Sequence, residues 1–486
     1  MGATRFLNKN NKGSSLIQDK RALRPVLGKG GFVLGKGAVM SLLKSYEHLG
    51  LIGPTGSGKS ATFFIPNLME LPLGVSAVVT DPKGELYWKT GADLRARGFD
   101  TIRLAPFERF YPGYNMLAVA KDYAEIKEIA QLILMNGGLA FEMQGKGGGD
   151  ATWLNMSLPL LVAAFLYEKK MEPGCPKIGK AMEKILYLDM EEMEAVFDQV
   201  EIARREFNLF KQAAGSEKIL ASIKVTIATN MQLFMDDKIV KFAERNDLHP
   251  SFLRHGLDGT NQKPVVLFVS VPETKSLYAA PLMAVIYQQL LQRLQDIIDG
   301  FPVLFLLDEF ANIGIVPIID TVAATARSRR MGLAIGLQGV EQLNQKYGED
   351  KANNLLNNLK TKVFLSGLSL VSCEYASSFC GTATIAQENI TRSFFSFMPK
   401  QKMQSFAERA AMTPDEVRRL NPDKALVISD YLDPAIIDKI WYYQESKYTS
   451  RIRWGDPDFS EELDEMRNRY NIDPNDDPGD SDFFAL

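Results

Sequence analysis

Cysteine and histidine are scarce, at three each in 486 residues. Cys175, Cys373 and Cys380 are widely spread, and no Cys/His group has zinc-ligand spacing. This argues against a disulfide scaffold and a structural zinc site, and it suits a reducing cytosol. Cys373 and Cys380 read as packed hydrophobes. His48, His249 and His255 read as packing or surface residues. No long hydrophobic run is present either. The most apolar stretch, Leu158 to Tyr167, is too short to cross a bilayer. Residues 1–25 are polar and basic, unlike a signal peptide. As written, the chain reads as soluble and cytoplasmic. It also lacks an excess of charge of either sign. Lys and Arg total 56 against 59 Asp and Glu, a formal net charge of −3, with a pI near 5.9. A protein that coats nucleic acid would be more basic, so any contact with nucleic acid has to be local, for example inside a channel.

What is there fits a folded chain of two or three domains: 46% hydrophobic residues and 24% charged. Residues 1–27 read as an N-terminal arm, and Gly28 to Gly37 suggests a small hairpin. Short apolar strands are expected at 48–52, 76–81 and 101–105, with a helix at 59–70. Alternating strands and helices imply an α/β fold with a mostly parallel sheet covered on both faces. The alternation stops at about 118. Ile126, Ile129, Leu132 and Ile133 recur at helical spacing, and 152–170, 179–212 and 215–236 are rich in helix formers. Gly145 to Gly149 forms a Gly-rich loop before Asp150 and Thr152, plausible caps for the next helix. Alternation resumes with a strand at 265–271, a helix at 277–297, and strands at 303–308, 332–338, 362–367, 425–429 and 439–443. The expected organisation is a nucleotide-binding domain in two parts, 28–117 and 251–455, around an inserted all-α domain, 118–250. The tail, 456–486, carries eleven Asp/Glu against two Arg and is expected to be disordered.

The most informative run is Gly53-Pro54-Thr55-Gly56-Ser57-Gly58-Lys59-Ser60, after the apolar His48–Ile52 and before a helix. Glycines at these positions let backbone N–H groups turn inward around a chain of phosphates, with Ala61 next in line. Lys59 can reach the outer phosphates, and the Ser60 hydroxyl can hold Mg²⁺. A second apolar strand, Val303 to Leu307, ends in Asp308-Glu309. Asp308 is a candidate for a Mg²⁺ water and Glu309 for polarising an attacking water. The alternative for this pair is a strand end facing solvent. Two adjacent acids argue for hydrolysis, and the lack of an Asn-Lys-x-Asp run argues against guanine. The distance in sequence from Lys59 to Asp308 exceeds what a bare core needs; the helical insertion supplies most of the excess. Gln338, at the tip of the next strand, is either a γ-phosphate sensor or a turn residue. Arg327 is either an arginine that reaches a neighbouring subunit's nucleotide or part of a solvated or DNA-facing basic patch with Arg329 and Arg330. Asp81-Pro82-Lys83-Gly84-Glu85 reads first as a turn, and because its charges point to the ligand-binding edge of the sheet it is either structural or part of a ligand site. Thr391 to Phe395 could suggest base stacking, with a buried aromatic pair as the alternative.

Together the motifs resemble the coupling ATPases of type IV secretion and conjugation, over about residues 28–445. The residues that carry the resemblance are Gly53–Ser60 with Phe63-Phe-Ile-Pro-Asn67, Asp81-Pro-Lys-Gly-Glu-Leu86, Leu307-Asp-Glu-Phe-Ala311, Gly336-Leu-Gln338 and Thr413-Pro-Asp-Glu-Val417. The resemblance implies a RecA-like motor domain and an all-α domain that receives substrate, with ATP and Mg²⁺ as cofactors. It implies a homo-hexameric ring on the cytoplasmic face of the cell membrane, linking DNA–relaxase complexes or effector proteins to the secretion channel. Single-stranded DNA would lie in the ring, and substrate would dock on residues 118–250. By position, Lys59 and Ser60 carry over as phosphate and Mg²⁺ residues, Asp308 and Glu309 as the metal and water-activating pair, Gln338 as the sensor and Arg327 as the trans-acting arginine. Such proteins usually start with membrane-spanning helices, and residues 2–6 resemble the segment directly after those helices. The expectation is a membrane link through such helices or a separate anchor. Two other readings stay open: a nucleotide-controlled substrate receptor that pumps nothing, and an intracellular DNA pump.

Overall fold

The computed structural model describes residues 16–108, 111–142, 151–390 and 402–452. The first fifteen residues of the arm, the Gly145–Gly149 loop with Asp150, Thr391 to Phe395 and the acidic tail lie outside the described residues. In chain order the strands are β1 (Gly30–Gly35), β2 (Ala38–Ser41), β3 (Leu49–Ile52), β4 (Ser76–Thr80), β5 (Asp100–Leu104), β6 (Val265–Val269), β7 (Val303–Leu307), β8 (Met331–Leu337), β9 (Thr361–Phe364), β10 (Thr382–Ile390), β11 (Lys402–Ala410), β12 (Lys424–Ser429) and β13 (Ala435–Asp438). One expectation fails: 439–443 is not a strand. The pairing that extends the sheet is made four residues earlier, by β13 against β12, with Lys424 opposite Asp438 and an ion pair of 2.8 Å between them.

The chain divides into two compact units. The first takes residues 1–70 and 334–446. In it β3 is parallel to both β8 and β9, and β12 closes antiparallel on β9 and β13. All four residues of β3 are buried, the pattern of a strand covered on both faces. The expected hairpin is present as β1 and β2. Asn67, 5% exposed, ties it to the helix after the phosphate loop. Its Oδ1 accepts from Val33 N at 2.8 Å, and its Nδ2 donates to Val33 O at 3.0 Å and Phe63 O at 2.8 Å. β10 and β11 form a separate antiparallel ribbon. Cys373 and Cys380 are buried, and burial pushes the Cys380 thiol up to about 12.

The second unit takes residues 71–333 and 447–486. Its strands run β7-β4-β6-β5, all parallel, and β4, β6 and β7 are buried throughout. Helices occupy the chain between β5 and β6, where the insertion was expected. The apolar run Leu158–Tyr167 lies in the helix Ala151–Met171, where Leu160 to Phe165 are wholly buried, so it is a core helix. The stretch 179–212 is three helices. Asp189 starts the second of them with a capping box, accepting from Glu192 N at 2.8 Å while the Glu192 side chain accepts from Asp189 N. Helix Tyr123–Glu142 is fastened to helix Ser276–Asp296 by Arg293, 2% exposed, which pairs with Glu125 and donates to Val119 O at 2.8 Å. Among the described residues no helix is long and apolar enough to cross a membrane.

The turn after β4 is built on Asp81, 1% exposed. Its two carboxylate oxygens accept from Leu86 N at 3.1 Å and Tyr87 N at 2.8 Å, capping the helix Glu85–Ala96. Burial raises its pKa from 3.8 to about 6, against the lowering effect of those two bonds and of Arg103.

Both buried polar anchors are open to test. Asn67→Ala leaves the buried Val33 N–H and C=O without their side-chain partners, a loss of about 2–4 kcal/mol. The melting temperature should fall by roughly 5 °C or more, and a calorimetric shift within error would rule the clasp out as a stabilising element. Asp81 has a folded pKa above its unfolded value, so the native state binds the extra proton between about pH 4 and about pH 6. Stability contributed at this site therefore falls as pH rises through that window, by at most about 3 kcal/mol. In denaturant titrations Asp81→Asn should remove that slope, so that it gains on wild type as pH rises. Parallel pH profiles would contradict it.

Candidate nucleotide site

In the first unit the phosphate loop starts where β3 stops. Ile52 is paired with Leu337 and Phe364, and Gly53 N donates to Leu337 O at 3.0 Å. A methyl group on Gly53 would fall 2.6 Å from Ser57 Oγ and 2.8 Å from Leu365 Cδ1, so a larger residue here would displace both side chains. Gly56 and Gly58 have φ of 78° and 89°, a region that side chains disfavour. The loop is closed internally. Ser57 N and Oγ both donate to Pro54 O, at 3.1 and 2.7 Å. Lys59, 6% exposed, reaches back across the loop to Gly53 O at 2.8 Å. Thr62 N and Oγ1 both donate to Gly58 O, at 2.7 and 2.8 Å. Ser60 begins a π turn, Ser60–Phe64, that runs on into the helix Ile65–Met69; such turns cluster at functional sites. Thr55 and Gly56 are exposed, and Pro54, Ser57, Ser60 and Ala61 are half-buried. Gln338 is the first residue past β8, next to the loop in register, and its N–H donates to Gln342 Oε1 at 3.0 Å.

In the second unit Asp308 is the first residue past β7 and is buried. Glu309 is half-buried with φ 55° and ψ 47°. A left-handed residue that is not glycine costs on the order of 1 kcal/mol or more and concentrates at functional sites. It turns the chain off the strand into the short helix Phe310–Asn312, with Asn312 N donating to Glu309 O at 2.7 Å. Thr80 is paired with Leu307, so Asp81 and Asp308 follow neighbouring strands. Asp81 has both oxygens committed to a helix start, which makes it a structural cap. The sequence left that choice open.

Arg327 lies at the other edge of the same strands. It is exposed, in the turn Ala326–Arg329 before β8, and Arg330 O accepts from Val303 N at 3.1 Å at the start of β7. β7 is five residues long, about 17 Å, so Arg327 and Asp308 sit at opposite strand ends. Arg327 therefore does not join the Asp308–Glu309 pair of its own subunit. The sequence reading missed Arg254, which is wholly buried. It donates to Leu294 O at 2.9 Å, Phe301 O at 2.8 Å and Arg329 O at 2.6 Å, and so fixes the turn that carries Arg327. Its position inside the short helix Phe252–His255 gave no sign of this, because its partners are main-chain carbonyls distant in sequence.

The chain is 26% identical to Protein VirD4 of Rhizobium radiobacter over 409 residues, covering 82% of this chain and 57% of that protein. It is equally identical to Protein VirD4 of Agrobacterium fabrum, with 59% of that protein covered. It thus spans less than two thirds of the length of these relatives. Among solved structures, the bacterial conjugative coupling protein TrwBdeltaN70 superposes with a TM-score of 0.68 at 17% identity, over 88% of this chain and 92% of that one. The plasmid coupling protein TrwB in complex with ADP and Mg²⁺ gives 0.68 at 16%, over 89% and 94%. At such identity the likeness shows the fold, RecA-like P-loop α/β, as expected. The family described as Type IV secretory system Conjugative DNA transfer matches residues 3–466, and the chain belongs to that family.

Proposed function

We propose that this chain is an ATP-hydrolysing coupling protein that recruits conjugative DNA–relaxase complexes or protein substrates and helps move them into a type IV secretion channel. The observation that carries the reading is the phosphate loop. Two left-handed glycines, a Gly53 closely packed by Ser57 and Leu365 and a buried Lys59 make a cradle that fits a polyphosphate. TrwB, with this fold, has been solved with ADP and Mg²⁺.

Gly53, Pro54, Thr55, Gly56, Ser57, Gly58, Lys59, Ser60 and Ala61 line the phosphate chain. Lys59 moves its ammonium from the Gly53 carbonyl to the outer phosphates. The Ser60 hydroxyl and the Asp308 carboxylate would hold Mg²⁺, which supplies positive charge against the phosphates. Glu309 orients and deprotonates the attacking water, and Gln338 senses the terminal phosphate. Arg327, barred from its own subunit's Asp308 by the length of β7, serves a neighbour's site, as in a homo-hexameric ring. Single-stranded DNA in the ring channel, substrate docking on residues 118–250 and attachment to the cytoplasmic face of the membrane complete the reading. The expected division into an all-α domain at 118–250 and a nucleotide-binding domain at 28–117 and 251–455 belongs to the same proposal.

Steady-state ATP hydrolysis tests it. Lys59→Ala and Glu309→Gln should each lower kcat by about 10²-fold or more, and wild-type rates in both would refute the assignment. Wild-type activity should rise faster than linearly with protein concentration and be stimulated by single-stranded DNA. The trans role has its own assay. Arg327→Ala and Lys59→Ala, each inactive alone, should recover measurable activity when mixed, because mixed rings contain interfaces with both intact residues. An Arg327→Ala variant with wild-type activity would remove the arginine from the mechanism.

A further inference from the structure

The residues after β13 run to the outer side of the phosphate loop. Lys439 is 4% exposed. Its N–H donates to Asp423 O at 2.8 Å, and its Nζ donates to Ser57 O at 2.9 Å. The ammonium also lies 4.5 Å from the centre of the Trp441 ring. Trp441 Nε1 donates to Asp423 Oδ1 at 2.9 Å. A methyl group on Gly58 would fall 2.7 Å from Trp441 Cζ3 and Cη2, so the indole lies directly against the loop. All of these residues belong to the first unit.

A trans peptide holds its C=O and N–H on opposite sides. By drawing the Ser57 carbonyl outward, Lys439 turns the Gly58 N–H the other way, into the cradle. Burial also lowers the Lys439 pKa, which marks a cation held at a desolvation cost. The described residues that stabilise it are a carbonyl and an aromatic face, with Asp423 as a more distant negative charge. A buried cation so held is stabilised by an anion arriving nearby.

We infer that Lys439 is a positioning residue for nucleotide binding, which with Trp441 clamps the Ser57–Gly58 peptide so that its N–H faces the phosphates. The inference rests on the nucleotide reading of the loop.

The experiment titrates wild type, Lys439→Met, Lys439→Arg and Asp423→Ala with ATP·Mg²⁺. It reads affinity, KM, kcat and tryptophan emission, with melting temperatures taken without nucleotide. Lys439→Met should bind about tenfold more weakly or worse, raising KM far more than it lowers kcat. Lys439→Arg should restore most of the affinity. The nucleotide-dependent emission change should come from Trp441 and be lost in Trp441→Phe. A folded Lys439→Met with wild-type KM and emission response overturns the clamp and leaves the nucleotide reading intact. If Lys439→Met does not fold, Asp423→Ala decides, because Asp423 is exposed and its side chain accepts from the indole while acting on Lys439 as a nearby negative charge. It should weaken binding by about two- to fivefold and alter the emission change; no effect on either overturns the clamp. A wild type that binds no ATP removes the nucleotide reading and the inference with it.

Discussion

A strand buried on both faces admits a polar side chain only where a buried partner meets it, and the placement of the candidate groups depends on that. β3, β4, β6, β7 and β8 are buried from end to end. The polar residues of β4 are consumed inside the layer, Ser76 Oγ accepting from Val265 N at 3.0 Å and Thr80 Oγ1 sharing a 2.7 Å hydrogen bond with Tyr287 Oη, so the candidate groups begin at the first residue beyond each carboxyl end. Those residues are Gly53, Asp81, Ser270, Asp308 and Gln338. Arg103 is a buried charged residue within β5, the outermost strand of its unit. It is accommodated by an ion pair to Glu108, bonds to Ser270 Oγ and Tyr111 Oη, and the rings of Tyr87, Trp88 and Tyr111.

Three buried cations, Arg254, Arg293 and Lys439, do comparable work on the connections. Each donates to main-chain carbonyls that regular structure leaves open. A carbonyl held this way needs no cap of its own. The consequence differs by site: Arg293 sets a helix on its neighbour, Arg254 sets the turn bearing Arg327, and Lys439 sets a peptide of the phosphate loop. Because a buried cation left without its partners is costly, such residues fix one conformation more strictly than apolar packing does.

The sequence was legible where a residue's role depends on its neighbours in the chain. The apolar strands, the loop Gly53–Ser60 and the Asp308–Glu309 pair could be read from order and spacing alone, because local backbone preference and burial agree there. The strand expected at 439–443 was misplaced because Trp441, Tyr442 and Tyr443 favour strand. The pairing with β12 favoured Ala435–Asp438 instead, and Trp441 packs on Gly58. Asp81 could not be separated into cap or ligand without seeing that its oxygens meet Leu86 and Tyr87. Arg254 and Lys439 were invisible for the same reason: their partners lie tens to hundreds of residues away. The left-handed backbone of Glu309 also had no signal, since residues of that type rarely adopt it.

The contrast between the two motifs bears on how the machine could be gated. The phosphate loop is held by its own contacts: Ser57 to Pro54, Lys59 to Gly53, Thr62 to Gly58, and Lys439 to Ser57. Ordering an eight-residue segment on binding would cost on the order of 10 kcal/mol. A loop already in place avoids most of that cost, and on the proposed reading Lys59 would exchange the Gly53 carbonyl for phosphate. Glu309, by contrast, sits in a backbone conformation that stores strain. On the proposed reading, binding would therefore be pre-organised in the first motif, whereas the water-activating step would depend on a residue whose conformation the surrounding turn must enforce. On the proposed reading, control of hydrolysis would lie at the acidic pair rather than at the loop.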